Sequence, residues 1–196
     1  AGALNVPTAA IACPYTLNIA LAESSAAAGV DFMLETPVTG IRGEQGAFEL
    51  TTPSGVVSSS LIVNSAGLFA DKVARMVGVT RWRIWPCRGE YLILDKAKGD
   101  LVNSMVYPVP PKGGAGLGIH ITPTTDGNII LGPSADYTSD GDDVRTTAKI
   151  RRQLLAEAFE FMPGFTARDV ITAYSGMRPK LVPSSVGGFG DFVVEE

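Results

Sequence analysis

Between residues 87 and 131 the sequence breaks repeatedly into short apolar runs separated by Gly, Pro and Asp-Gly, and this rhythm constrains the fold most strongly. Residues 87–94, 104–108, 117–122 and 128–131 have the length of strands, and the turn residues between them predict an antiparallel sheet. Asp126-Gly127 is a hairpin signal, which puts His120 on the strand leading into that turn. Residues 144–162 form the longest helical pattern. Ile150, Leu154, Leu155, Ala158 and Phe161 share one face, and Pro163-Gly164 stops it. Residues 170–177 and 191–194 read as two further strands.

The first 78 residues have a different texture. Residues 14–28 predict a helix, with Pro14 in the tolerated first turn and Gly29 as its cap. DFMLET (residues 31–36) reads as a short apolar strand, and residues 37–57 as two or three strands punctuated by Gly43, Gly46 and Gly55. Leu61, Ile62 and Val63 have no polar break, which suits a short strand buried on both faces. Residues 68–76 then predict a helix ended by Gly78. The fold class is therefore mixed α/β, of the α+β kind, with an antiparallel sheet and flanking helices.

Composition narrows the function classes. A formal net charge of -4 gives no general electrostatic reason for a nucleic-acid partner. Hydrophobic residues make up 45% of 196, enough for one substantial core or two small ones. No apolar run approaches the ~20 residues needed to span a bilayer, and the first residues lack the pattern of a signal peptide. Cys13 and Cys87 are far apart without Cys/His neighbours, so neither a metal site nor a disulfide framework is expected. The expected location is the cytoplasm or the cytoplasmic face of a membrane. The sole histidine, His120, excludes chemistry that needs two.

Four stretches carry a chemical signal. In NSAGLFAD (residues 64–71) small residues at a strand–helix junction would let a bulky ligand approach the backbone, or simply allow tight packing. In SGMRPK (residues 175–180) Arg178, beside a proline at a strand end, suits a carboxylate or phosphate, or an ordinary ion pair. In PCRGEYLIL (residues 86–94) Arg88 offers a second positive group, or pairs with Glu90 or another carboxylate. In the stretch from YPVP to GIHITPTTDGNIILGP (residues 107–133), Tyr107 is an active-site wall or core. His120 is a base or a satisfied structural residue.

In this order the stretches resemble the FAD-dependent oxidoreductases of the D-amino-acid oxidase and glycerol-3-phosphate dehydrogenase superfamily, which includes L-2-hydroxyglutarate oxidase-like proteins. PYTLNIALAESSAAAGVDFMLETPVTGI, NSAGLFAD, RGEYLILDKAKGDLVNSMVYPVP, GIHITPTTDGNIILGPSA and GMRPKL follow in family order and cover nearly the whole chain. The resemblance implies that Arg178, in the GxRP motif, holds the anionic group of a small substrate. It implies that Asn64, Ala66 and Gly67 lie against the FAD, with Val38 near the adenine end. Arg88, Tyr107 and His120 become candidates for substrate contacts, His120 as catalytic base. Residues 14–78 correspond to part of an FAD-binding domain, residues 1–13 and 79–178 to a substrate-binding domain, and residues 179–196 to a strand returning towards the FAD domain.

Two departures matter. The family opens with a strand, a GxGxxG turn and a helix that bind the FAD diphosphate, and no GxGxxG occurs here. Relatives also continue beyond GxRP into a glycine-containing stretch over the flavin. The expectation is thus a piece of a larger flavoenzyme that by itself neither holds FAD tightly nor turns over. Edges and apolar faces around residues 31–35 and 61–64 would promote self-association. The intact protein is expected to oxidise glycerol 3-phosphate or a 2-hydroxy acid by hydride transfer to flavin, and peripheral membrane contact is compatible with the family. An amino-acid donor, or a binding or assembly module without catalysis, are the alternatives.

Overall fold

The computed structural model describes residues 2–109, 118–188 and 190–195. After helix α1 (Pro14–Ala27) come strands β1 (Gly40–Glu44), β2 (Ala47–Thr52) and β3 (Gly55–Ser59), then a 3-10 turn (Gly67–Phe69) running into α2 (Ala70–Met76). Strand β4 (Trp85–Leu94) is followed by a 3-10 turn (Lys96–Leu101), β5 (His120–Pro123), β6 (Ile129–Gly132), β7 (Asp136–Tyr137), helix α3 (Ala148–Phe161) and β8 (Val170–Lys180). Strands β1, β2 and β3 form an antiparallel meander.

The second sheet is antiparallel throughout and is organised by β4. On one edge β4 pairs with β8, from Trp85↔Lys180 to Leu94↔Val170 with an irregularity at Ile93/Leu94. On the other edge its two halves pair with β7 and β6, and β5 flanks β6. Because strand side chains alternate between faces, Arg88, Glu90, Leu92 and Leu94 of β4 share one face. Helix α3 covers that face. Leu92, Leu94, Ile121, Ile129 and Leu131 meet Ile150, Leu154 and Ala158, and Met162 and Phe165 close the end.

Helix α3 begins later than its apolar pattern suggests, because its start is set by polar bonds. Thr147 caps it through Oγ1, which accepts from the Ile150 N–H. The buried Glu90 carboxylate accepts from the Thr147 N–H at 2.6 Å and the Thr147 hydroxyl at 3.1 Å. Phe161, expected on the inner face, is half exposed, and Met162 takes the inward place.

Three expected strands are absent. Residues 31–36 turn instead, with Glu35 at a left-handed φ of 53°. Residues 61–63 carry no ladder and are not buried on both faces, since Leu61 is 65% and Val63 79% exposed. Residues 191–194 run as coil, tied down by Glu195, whose carboxylate accepts from Trp82 Nε1 and pairs with Arg81 at 2.8 Å. In each case an apolar run lacks a described neighbouring strand to complete its hydrogen bonds. The expected strand at residues 104–108 reduces to one bridge, Val106↔Ile121. Residue 117, in another expected strand, lies outside the described residues.

Candidate active site

The face of the second sheet opposite α3 is open, and register shows what stands on it. Cys87 pairs with Arg178, Gly89 with Gly176 and Tyr91 with Tyr174 across β4 and β8, while His120 pairs with Gly132 across β5 and β6. Alternation therefore puts Arg178, Tyr174, Tyr91 and His120 on the same side, away from the core. Tyr91 and Tyr174 stack with ring centroids 4.9 Å apart and planes inclined by 6°. Burial, then the neighbouring Tyr91, raises the Tyr174 pKa above the ordinary tyrosine value. Tyr107 leans on His120, ring centroids 5.0 Å apart, at the other end of this row.

Glycines shape the floor. A Cβ on Gly132 (φ 133°) would lie 2.8 Å from the Glu90 carbonyl oxygen and 3.1 Å from Tyr91 Cδ1. A Cβ on Gly89 would lie 2.9 Å from Arg178 Nη2 and 3.1 Å from Pro133 Cβ. The guanidinium of Arg178 thus crosses β4 over Gly89, and its Nη2 donates to the Ser134 carbonyl. Its Nε is buried without a hydrogen-bond partner. No carboxylate pairs with Arg178 among the described residues, so its charge is held by a neutral acceptor.

Arg88 is placed differently. It lies on the α3 face, 14% exposed, with Nη1 on Asp143 Oδ2 at 2.6 Å and Nη2 3.6 Å from Glu90 Oε1. The ion-pair reading of this residue is the one its geometry fits, and the structure does not bring it together with Arg178. Asp143 is bound mainly by Arg145, which holds its carboxyl far below the usual aspartate range, with Arg88 adding to the effect.

The NSAG turn faces a separate concave surface of about 1180 Å³ lined by Asn64, Ser65, Gly67, Ala70, Arg178 and Phe192 among others. Asn64 shapes the turn. Its amide donates to the Ala70 carbonyl at 2.8 Å, and its Oδ1 accepts from the Ala66 N–H at 3.3 Å. Gly67 has φ 55°, and a Cβ there would meet nothing within 4 Å, so there is open space beside its backbone. This exposed turn fits a flavin cofactor held against backbone. Val38 sits half-buried in the coil before β1 and is not among the lining residues, and neither are Ala66, Tyr107 or His120. Arg178 is the expected substrate residue that also borders this surface. The sequence reading passed over Tyr91, Tyr174 and Ser134. Their roles depend on register and on a backbone carbonyl, which leave no local motif.

An arginine on the sheet face opposite α3 thus borders the same concave surface as the turn at residues 64–67. The family model described as DAO, FAD dependent oxidoreductase, matches residues 1–196, and the chain belongs to this family. Over 195 residues it is 32% identical to the glycerol 3-phosphate dehydrogenase of Caloramator mitchellensis, covering 100% of this chain and 39% of that protein. It is 38% identical over 109 residues to the mitochondrial L-2-hydroxyglutarate dehydrogenase of Homo sapiens, covering 55% of this chain and 24% of that one. Among solved structures, the dithionite-reduced L-α-glycerophosphate oxidase of Mycoplasma pneumoniae with FAD bound superimposes with a TM-score of 0.69. It shares 26% identity and covers 82% of this chain and 42% of that one. The chain therefore spans well under half the length of these relatives.

Proposed function

We propose that the intact protein oxidises a small anionic alcohol, glycerol 3-phosphate or a 2-hydroxy acid. The observation that carries this reading is Arg178, a guanidinium stretched over Gly89 on an open sheet face and held by a neutral carbonyl. A cation so placed keeps its charge for an incoming anion, and its outer Nη hydrogens suit the paired oxygens of a carboxylate or phosphate. FAD, when bound against residues 64–67, supplies the hydride acceptor. The donor's hydroxyl must also lose a proton. His120 stands on the same face as Arg178 and is the side-chain type that titrates near neutrality, so it is the residue we assign as base. Tyr107, packed on His120, forms a wall of the donor site.

Arg88 acts from behind the sheet, where its bonds to Asp143 and Glu90 fix β4 against the start of α3. By itself the 196-residue chain exposes Leu61, Val63 and Phe192, and we expect it to self-associate and to lose FAD on desalting.

The test is a donor panel with the FAD-loaded intact protein and an artificial electron acceptor. Turnover is expected with glycerol 3-phosphate or L-2-hydroxyglutarate, with kcat/KM at least ~10-fold above that for glycine or proline. Preference for an amino acid would overturn the alcohol reading. Absence of both turnover and flavin would favour a binding module.

A further inference from the structure

We infer that Ser134 is a positioning residue for the anion anchor, acting through its carbonyl on Arg178. The inference rests on the reading of Arg178 given above. Among the described residues, the hydrogen bond from Nη2 to the Ser134 carbonyl is the polar contact that fixes this guanidinium, since Nε has no partner. The place of the anchor is therefore set by the place of that carbonyl.

Ser134 is itself clamped at three points. Its N–H donates to the Glu90 carbonyl at 3.1 Å. Its Oγ accepts from the Glu90 N–H at 3.1 Å and donates to Asp136 Oδ2 at 2.9 Å. The residue is 7% exposed, and Glu90 is buried in turn at the start of α3. One hydroxyl thus ties the connection between β6 and β7 to the central strand directly beside the point where Arg178 crosses it. A carbonyl acceptor does this without neutralising the cation, in contrast to the carboxylates that occupy Arg88. Losing the hydroxyl leaves the buried Glu90 N–H unpaired, frees Asp136, and lets the carbonyl and the guanidinium drift together. The substitution leaves the carbonyl in the chain, so what changes is its placement.

The experiment is calorimetric titration of the intact flavoprotein with inorganic phosphate and with acetate, followed through the better-bound anion. Melting temperature and the KM and kcat of the preferred donor are recorded in parallel. Ser134→Ala is expected to weaken anion binding about tenfold and to raise KM more than it lowers kcat, and Ser134→Thr to restore both to within about twofold. Asp136→Ala, which removes the partner of the hydroxyl and leaves Ser134 intact, is expected to weaken binding about threefold. It decides the matter in the same way if Ser134→Ala does not fold. An unchanged anion affinity with a lowered melting temperature would overturn the inference, because a merely structural serine behaves that way. If Arg178→Met also leaves affinity unchanged, or if neither anion binds the wild type, it is the anchor reading itself that fails.

Discussion

Residues 2–80 and residues 85–180 solve the problem of apolar surface in opposite ways. In the second region one sheet face and α3 bury Leu92, Leu94, Ile121, Ile129, Leu131 and Leu154 to 2% exposure or less. In the first, α1 buries no residue, and Leu17, Leu21, Leu61 and Val63 stand at 53%, 59%, 65% and 79% exposure. The second region thus has its own core, whereas the first carries the side chains of a core without the partners among the described residues. The functional elements follow this division. Arg178 and the stacked tyrosines stand on the sheet that has a core, and the turn at residues 64–67 belongs to the region whose packing is incomplete. Under the proposed function, such a site would take its donor contacts from the packed region and its cofactor contacts from the other.

The comparison is broken most forcefully by Leu154→Ala. It removes a fully buried side chain from the interface between α3 and the sheet and is expected to cost about 2–5 kcal/mol by urea unfolding. The matching change Leu17→Ala in the isolated chain should stay within about 0.5 kcal/mol. Equal losses would mean that α1 is packed. Next in size is Glu90→Ala, which strips the buried acceptor from Thr147 and one neighbour from Arg88, for about 1–3 kcal/mol. Thr147→Ala tests the helix start more gently, at about 0.5–2 kcal/mol with a loss of helical circular dichroism. A Glu90 loss no larger than an exposed-surface change would show that α3 docks by its apolar face alone.

The smallest effect concerns pH. The Asp143 carboxyl is held below its ordinary value of about 3.9, chiefly by Arg145, so the folded state binds its proton less readily than the unfolded state. Its contribution is therefore complete above that ordinary value and is lost as pH falls through the lower folded one. Denaturant midpoints for wild type and Asp143→Asn should differ at pH 7, and the difference should shrink as pH falls below about 4 and on through the lower folded value. A constant difference down to strongly acid pH would assign the effect to packing instead.

Much of the antiparallel sheet was legible because its strands are bounded by turn residues and α3 carries a clear apolar stripe. Arg178 and the turn at residues 64–67 were singled out through the resemblance of their motifs to the family, since the residues alone fit an ordinary ion pair and a tight junction equally well. Residues 31–36, 61–63 and 191–194 were not legible, since a short apolar run shows only that a strand could form there. A ladder also needs a neighbour. The two-residue strand β7 is too short to have a pattern. Which face Arg88 takes follows from its parity with Leu92, and that becomes visible only when the burial of β4 is known. The stacking of Tyr91 on Tyr174 required the register of strands some eighty residues apart.

The proposed role of Arg178 is to hold the donor's anion without contributing to cofactor retention. The direct measurement is steady-state turnover and flavin absorbance of the intact protein with and without Arg178→Met. An unchanged flavin content is expected together with a fall in kcat/KM of at least about 30-fold, equivalent to ~2 kcal/mol of lost anion binding. Unchanged kcat/KM with the flavin in place would contradict it.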